Sequence, residues 1–85
     1  MIDVKRLLTK DLQNGFIESV EYTIEKDIIE KEYCQLNFDI KIGQQTEKYL
    51  KYFYGDVLSI STSFLDANYG YEGERVIYQL HITIK

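Results

Sequence analysis

Hydrophobic and polar residues change their spacing along the chain near residue 15, and the predicted secondary structure changes with them. In the first segment the apolar residues lie three or four positions apart, a spacing that lines one face of a helix. They are Val4, Leu7, Leu8 and Leu12. Asp3 can cap the start, and Asn14-Gly15 can end the helix because glycine adopts a left-handed conformation at little cost. We predict a helix over residues 3–13.

From there on, apolar and polar residues alternate, which is the period of a strand with one buried face. The alternation predicts four strands, and the apolar residues have even numbers in all of them. They are Val20, Tyr22 and Ile24 in the first strand, Cys34, Leu36, Phe38, Ile40 and Ile42 in the second, Leu58, Ile60 and Phe64 in the third, and Val76, Tyr78, Leu80, Ile82 and Ile84 in the fourth. Alternation is typical of an antiparallel sheet that is covered on one side. We therefore predict an α+β fold, in which the N-terminal helix covers a four-stranded antiparallel sheet made of two hairpins.

The stretch GQQTEKYLKYFYGDVL, residues 43–58, joins the two predicted hairpins. Its aromatic residues favour a fifth strand, with a turn at Gly55-Asp56. In that register Lys51 and Glu47 would face the core, which disfavours the strand. A short helix over residues 46–55 suits the same residues better. In it Thr46 caps the start, Glu47 pairs with Lys51, Tyr49, Leu50 and Phe53 form the apolar stripe, and Gly55 ends the helix.

Residues 66–74 connect the last two predicted strands and are rich in turn-forming and acidic residues. Even-numbered residues can pair on one face only if an odd number of residues intervenes, and nine residues satisfy this condition. A calcium-binding loop that began at Asp66 would have Ile77 where a bidentate glutamate is required, so an EF-hand is excluded. The segment is predicted to be a hairpin tip whose exposed aromatic and acidic side chains contact a partner protein. These side chains are Tyr69, Tyr71, Glu72 and Glu74.

Length and composition limit the function classes. Eighty-five residues make one domain, residues 1–85, and a single cysteine excludes an intramolecular disulfide. The N-terminus lacks the apolar stretch of a secretory signal, which predicts a cytoplasmic protein. Fourteen acidic residues against ten basic ones argue against direct binding to nucleic acid or to anionic membranes.

The acidic residues are concentrated in one segment. Residues 1–15 carry a net charge of +1 and residues 33–85 carry −1, whereas residues 16–32, with six acidic residues and two lysines, carry −4. One interpretation is a solvated hairpin whose charges discourage aggregation. The other is an acidic ridge that binds a basic surface of a partner and accelerates association. The predicted contact residues on this ridge are Glu21, Glu25, Asp27 and Glu30.

No residue pattern predicts catalysis. His81 is predicted on the polar face of the sheet and Cys34 on the apolar face, so the two cannot readily form a dyad. Ser59, Ser61 and Ser63 lack a nucleophile-elbow context. We predict no catalytic residues, no metal site and no cofactor.

The polar face of the last two strands lacks charge and is easy to desolvate. It combines Ser59, Ser61, Ser63, Gln79 and Thr83 with the apolar residues Val57, Leu65 and Ile77. A face of this kind suits contact with a helix, a partner or a second protomer, and a homodimer is one of the predicted outcomes.

These observations favour a non-enzymatic, acidic protein-binding module, acting as an inhibitor that blocks a basic surface of its partner. Small size, acidity and an α-β sheet make the chain similar in style to phage-encoded inhibitors of host defence, such as anti-CRISPR proteins, and to immunity proteins for bacterial toxins. This resemblance is compositional and assigns no site residues. Two alternatives remain: an assembly subunit that self-associates through the uncharged sheet face, and a small-ligand sensor or enzyme with a pocket lined by ionisable groups of shifted pKa.

Overall fold

The computed structural model describes residues 6, 8, 12, 15–68 and 74–85. Within them, the elements in chain order are α1 (Phe16–Lys31), β1 (Tyr33–Phe38), α2 (Ile40–Tyr54), β2 (Leu58–Asn68) and β3 (Glu74–Ile84). The strands form one antiparallel sheet in the order β1-β3-β2. The α+β class is confirmed, but the described part of the chain has three strands and one hairpin instead of four strands and two hairpins.

The predicted helix over residues 3–13 lies mostly outside the described residues. Arg6 and Leu8 are helical, and Leu8 and Leu12 pack against the hydrophobic core. Gly15 has the predicted left-handed conformation, with φ at 81°, and directly precedes α1.

Residues 16–31 form a helix, so the prediction of a strand in this segment is wrong. Val20 and Ile24 fit both periods, because they lie four residues apart. Ile17 and Ile28 extend their stripe only at helical spacing, and Tyr22, which a strand would bury, is 68% exposed. Sixteen residues without glycine or proline favour a helix once the apolar stripe can be buried.

The second predicted strand is shorter than expected, and the second helix is longer. Asp39 separates them, because its side chain accepts a hydrogen bond from the Ile42 amide at 3.0 Å and caps α2. Ile40 and Ile42 therefore belong to α2 and not to a strand. Thr46, the predicted cap, is buried within the helix and donates to the Ile42 carbonyl at 2.7 Å.

Residues 46–54 are helical, which confirms the helix over the alternative fifth strand. Gly55 ends α2 as predicted, with its amide donating to the Lys51 carbonyl at 3.1 Å. Glu47 and Lys51 form the predicted ion pair at 2.5 Å. Tyr49 and Leu50 of the predicted stripe are buried, whereas Phe53 remains partly exposed.

β2 and β3 form the predicted hairpin with the predicted parity. Ile60 pairs with Ile82 and Phe64 with Tyr78. The strands continue farther than expected, to Asn68 paired with Glu74, so the connection is residues 69–73, still an odd number. β1 pairs with β3 only between Tyr78 and Thr83, so the distal end of the hairpin is two-stranded.

The core lies between the even-numbered face of the sheet and the helices. Its buried residues are Ile17, Val20, Ile24, Cys34, Tyr49, Leu50, Tyr78, Leu80 and Ile82. The even-numbered face of the sheet is confirmed as the buried one. Two helices, α1 and α2, cover it, whereas the sequence predicted the N-terminal helix as its cover. Phe64, Val76 and Ile84, predicted on this face, remain exposed. Ile84 ends β3, and Phe64 and Val76 lie at or beyond the level of the last β1–β3 pair, Phe38 with Tyr78.

Candidate partner-binding site

The face of α1 that points away from the sheet carries two large hydrophobic side chains among charged ones. Tyr22 is 68% exposed and Ile29 is 76% exposed. Seven residues separate them, so they lie on the same side of the helix two turns apart, opposite Val20 and Ile24. We call this surface the outer face of α1; it comprises Glu18, Tyr22, Glu25, Lys26, Ile29 and Glu30, all exposed.

The structure separates the four acidic residues predicted to contact a partner. Glu25 and Glu30 lie on the outer face of α1. Asp27 is half-buried and lies 3.7 Å from the ammonium of Lys31. Glu21 is half-buried and faces α2, where its carboxylate contacts Tyr49 and Tyr54. A helix turns residues 21 and 27 away from the face that holds residues 25 and 30, whereas a strand would have aligned 21, 25 and 27.

Of the four predicted contact residues of the hairpin tip, only Glu74 belongs to the described residues. Tyr69, Tyr71 and Glu72 lie outside the described residues. The backbone of Glu74 begins β3 and pairs with Asn68, at the end of the hairpin.

Tyr22 and Ile29 are the surface residues that sequence reasoning missed. The strand prediction places Tyr22 on the buried face and gives no position to Ile29. Their separation of seven residues was the available signal, since it places both on one side of a helix and off the stripe formed by Val20 and Ile24.

The Glu21 carboxylate connects the two helices. Its Oε2 accepts a hydrogen bond from the Tyr49 hydroxyl at 3.3 Å and a second from the Tyr54 hydroxyl. The hydrogen bond to Glu21, together with burial and the nearby negative charge, raises the pKa of Tyr54 to about 12. Tyr54 therefore stays protonated at neutral pH and acts as a hydrogen-bond donor.

A second carboxylate cluster connects α2 with the sheet. Glu47 accepts hydrogen bonds from Lys51, at 2.5 Å, and from the Tyr78 hydroxyl. Burial by itself raises the pKa of Glu47, but these hydrogen bonds outweigh it and the carboxyl pKa lies below its ordinary value. The bond to Glu47 raises the pKa of Tyr78. Glu47 therefore accepts these hydrogen bonds as a carboxylate at pH 7, and Tyr78 donates as a neutral hydroxyl.

An open apolar groove of about 360 Å³ lies beside α1, at the end of the sheet where β2 begins and β3 ends. Ile24, Ile28, Tyr54, Val57, Leu58 and Ile84 line it, and Glu21 and Glu25 stand at its edge. This volume is at the lower end of ligand pockets, about 300–1,000 Å³. It is large enough for an apolar side chain.

The uncharged sheet face carries a hydrogen-bonded row that spans all three strands. At its centre Gln79, although predicted on the polar face, is only 5% exposed. Its side-chain amide donates to Asn37 at 2.9 Å, and its carbonyl lies 3.4 Å from the Ser63 hydroxyl and 2.6 Å from His81 Nε2. The row satisfies Gln79 within the sheet, and the face around it stays open on the side away from α1 and α2.

Cys34 and His81 lie on opposite faces of the sheet, as predicted. Cys34 pairs with Ile82 and His81 with Gln35 in the β1–β3 ladder, and neighbouring residues of a strand point to opposite sides. Burial, and next the hydrogen bond to Asp27, raise the pKa of the Cys34 thiol to about 12. The thiol is therefore protonated at neutral pH and a poor nucleophile.

Among the described residues, no three histidine, cysteine, aspartate or glutamate side chains converge as metal ligands. No helix among the described residues, α1 and α2 included, is long and apolar enough to cross a membrane.

Comparison with protein-family models, with curated proteins and with solved structures gives no significant match.

Proposed function

We propose that the protein is a non-enzymatic binding module that places the outer face of α1 on a basic surface of a partner protein and inhibits the partner by covering that surface. The observation that carries the proposal is the exposure of Tyr22 and Ile29 between carboxylates. Exposed aromatic and aliphatic side chains, grouped with charges around them, are typical of protein interfaces.

The charge distribution supports a basic partner. Residues 16–32 carry six acidic residues and two lysines, a net charge of −4 that equals the net charge of the whole chain. The outer face alone holds Glu18, Glu25 and Glu30 against Lys26. Such a surface attracts a positive surface before contact and raises the association rate, while the two hydrophobic side chains supply desolvated contact area.

The hairpin tip is proposed as a second contact. Tyr69, Tyr71, Glu72 and Glu74 combine aromatic and acidic residues as the outer face of α1 does. The end of the hairpin near Asn68 and Glu74 extends past β1 and has two strands. This extension suits a projecting contact element.

The protonation states of the shifted groups favour binding over proton transfer. Cys34, Tyr54 and Tyr78 have raised pKa values and Glu47 a lowered one, so at pH 7 each keeps its ordinary charge. A general acid or base works best when its pKa lies near the working pH.

The experiment is affinity capture of the partner from the native cells, followed by binding of the purified partner at several salt concentrations. The variant Glu18→Lys/Glu25→Lys/Glu30→Lys reverses the charge of the outer face. We expect it to weaken binding roughly tenfold or more and to flatten the salt dependence, because charges at an interface act mainly on the association rate.

The matched control is Asp39→Asn/Gln44→Lys/Asp56→Lys/Asp66→Lys, which raises the net charge by six, as the α1 variant does, at exposed residues away from α1. Equal losses in both variants would show that only net charge matters. Unchanged binding in the α1 variant at every salt concentration would refute the proposal.

A further inference from the structure

In the part of the chain that the structure describes, β2 forms an edge of the sheet that lacks the usual protection against pairing with another strand. Among these residues, the strand order β1-β3-β2 leaves one side of β2 unpaired. Residues 58–65, LSISTSFL, contain no charge, no proline and no glycine, and their register with β3 runs without a bulge. Natural edge strands are normally shortened, charged, bulged or covered, because their free amide and carbonyl groups otherwise recruit another strand.

The opposite edge of the same sheet is different. β1 has six residues where β2 has eleven, and α1 packs against it. The acidic segment, residues 16–32, therefore lies at the β1 edge of the sheet. Within β2 the first charged residue is Asp66.

This distribution of charge selects the occupant of the β2 edge. Two copies of a chain with a net charge of −4 repel each other when their acidic segments meet. Contact through residues 58–65 pairs only uncharged residues, and like charges, Asp56 of one copy and Asp66 of the other, come opposite each other only beyond that segment. The α1 helix packs against β1, at the other edge of the sheet, and stays away from this contact. An uncharged, unprotected edge on an otherwise acidic chain is complementary to itself.

We propose that two copies of this chain pair through β2, antiparallel across a two-fold axis, and form one continuous six-stranded sheet. This inference does not rest on the proposed function. Residues opposite each other in an antiparallel ladder point to the same face. One residue of β2 must therefore lie opposite its own copy, with the two-fold axis midway between the two. With the axis at Ser61, Leu58 lies opposite Phe64 of the second copy. Phe64, 61% exposed in one copy, gains an apolar neighbour on the helix-covered face.

The dimer leaves the outer face of α1 free in both copies. It also differs from the self-association through the uncharged face that the sequence predicted, since pairing uses the edge of the sheet and leaves its face open. Variants can separate these two modes.

The test is sedimentation velocity of the full chain over a range of concentrations. The variant Ser59→Lys/Ser61→Lys places lysines on the β2 edge, and the control Gln35→Lys/Thr83→Lys places the same charge on the same face, on β1 and β3. All four residues are exposed. We expect the wild type and the control to be dimers, and the edge variant to dissociate at least about tenfold more readily, because like charges opposite each other oppose pairing.

A monomeric wild type would overturn the proposal, and so would dissociation of both variants, which would assign the dimer to the sheet face. Circular dichroism shows whether each variant is folded. A cysteine cross-link decides the matter independently of the lysines: Ser61→Cys would form a disulfide between copies under mild oxidation, because opposed residues in a ladder lie within about 6 Å, the usual Cα separation of a disulfide. Gln35→Cys, on the other edge, should remain reduced; cross-linking of Gln35→Cys with none of Ser61→Cys would refute pairing through β2.

Discussion

The two helices lie on the same face of one sheet but are used differently. Three features fix α2 in the fold: Asp39 caps its start, Leu50 is fully buried, and Gly43 packs so closely against Tyr78 that an added Cβ would clash with the ring. α1 begins at Gly15 without a side-chain cap and places Tyr22 and Ile29 in solvent.

Charge separates the helices in the same way. α2 carries three lysines and one glutamate, and that glutamate is hydrogen-bonded to Tyr78 of the sheet. In α1, Glu21 and Asp27 are used within the fold, Glu21 toward α2 and Asp27 toward Cys34 of β1, and the outer face keeps its carboxylates in solvent. The difference indicates that α2 holds the fold together, whereas α1 has hydrophobic and charged groups left over for contact with another molecule.

The largest expected effect is on stability when the packing of α2 is removed. Leu50→Ala should lower the free energy of unfolding by about 2–5 kcal/mol, because a fully buried leucine leaves a cavity. The matched substitution in α1 is Ile24→Ala, which removes the same number of carbons from a residue that borders the open groove. We expect a smaller loss there, measured by urea denaturation. Equal losses would contradict the difference in anchoring.

The sequence predicts the sheet more accurately than the helices, and the reason is visible in particular residues. Leu58, Ile60 and Ile82 alternate with polar neighbours, and only a strand gives that spacing one buried face. Val20 and Ile24 lie four residues apart, which suits a strand and a helix equally well. The choice between strand and helix depends on whether Tyr22 is buried, as a strand requires, or exposed, as in the helix. That depends on the tertiary structure and not on the local sequence.

The candidate site is less predictable still. The excess of acidic residues in 16–32 can be counted from the sequence, but their direction depends on the helix. Glu21 is directed toward Tyr49 and Tyr54 because α1 and α2 pack side by side, and those contacts lie 28 and 33 residues away along the chain. No local pattern contains that information.

A smaller effect is expected where the two helices are joined. Tyr54→Phe removes one hydrogen bond to Glu21 and leaves the bond from Tyr49, so the free energy of unfolding should fall by about 1 kcal/mol. The exposed neighbour supplies the control: Tyr52→Phe should change stability little.

The same contact gives an alkaline signature. The pKa of Tyr54 is raised to about 12 in the folded protein, above the ordinary value of 10.0. Its stabilising contribution is therefore complete below pH 10 and is lost as the pH rises through about 12. Denaturation curves between these values should be less steeply pH-dependent for Tyr54→Phe than for Tyr52→Phe. Identical pH profiles would show that the Tyr54–Glu21 contact does not stabilise the fold.

The smallest expected effect on stability is the most informative about function. Ile29→Ser, on the outer face of α1, should change the free energy of unfolding by less than about 0.5 kcal/mol, because a side chain that is 76% exposed contributes little packing. The proposed function predicts that the same substitution weakens binding to the basic partner. Ile28→Ser, one residue away and packed against the core, should instead lower the free energy of unfolding. If Ile29→Ser destabilised the fold as strongly as Ile28→Ser, residue 29 would be required for folding and would no longer be available as evidence for a partner. Only a substitution that is neutral for folding and harmful for binding assigns an exposed hydrophobic residue to an interface.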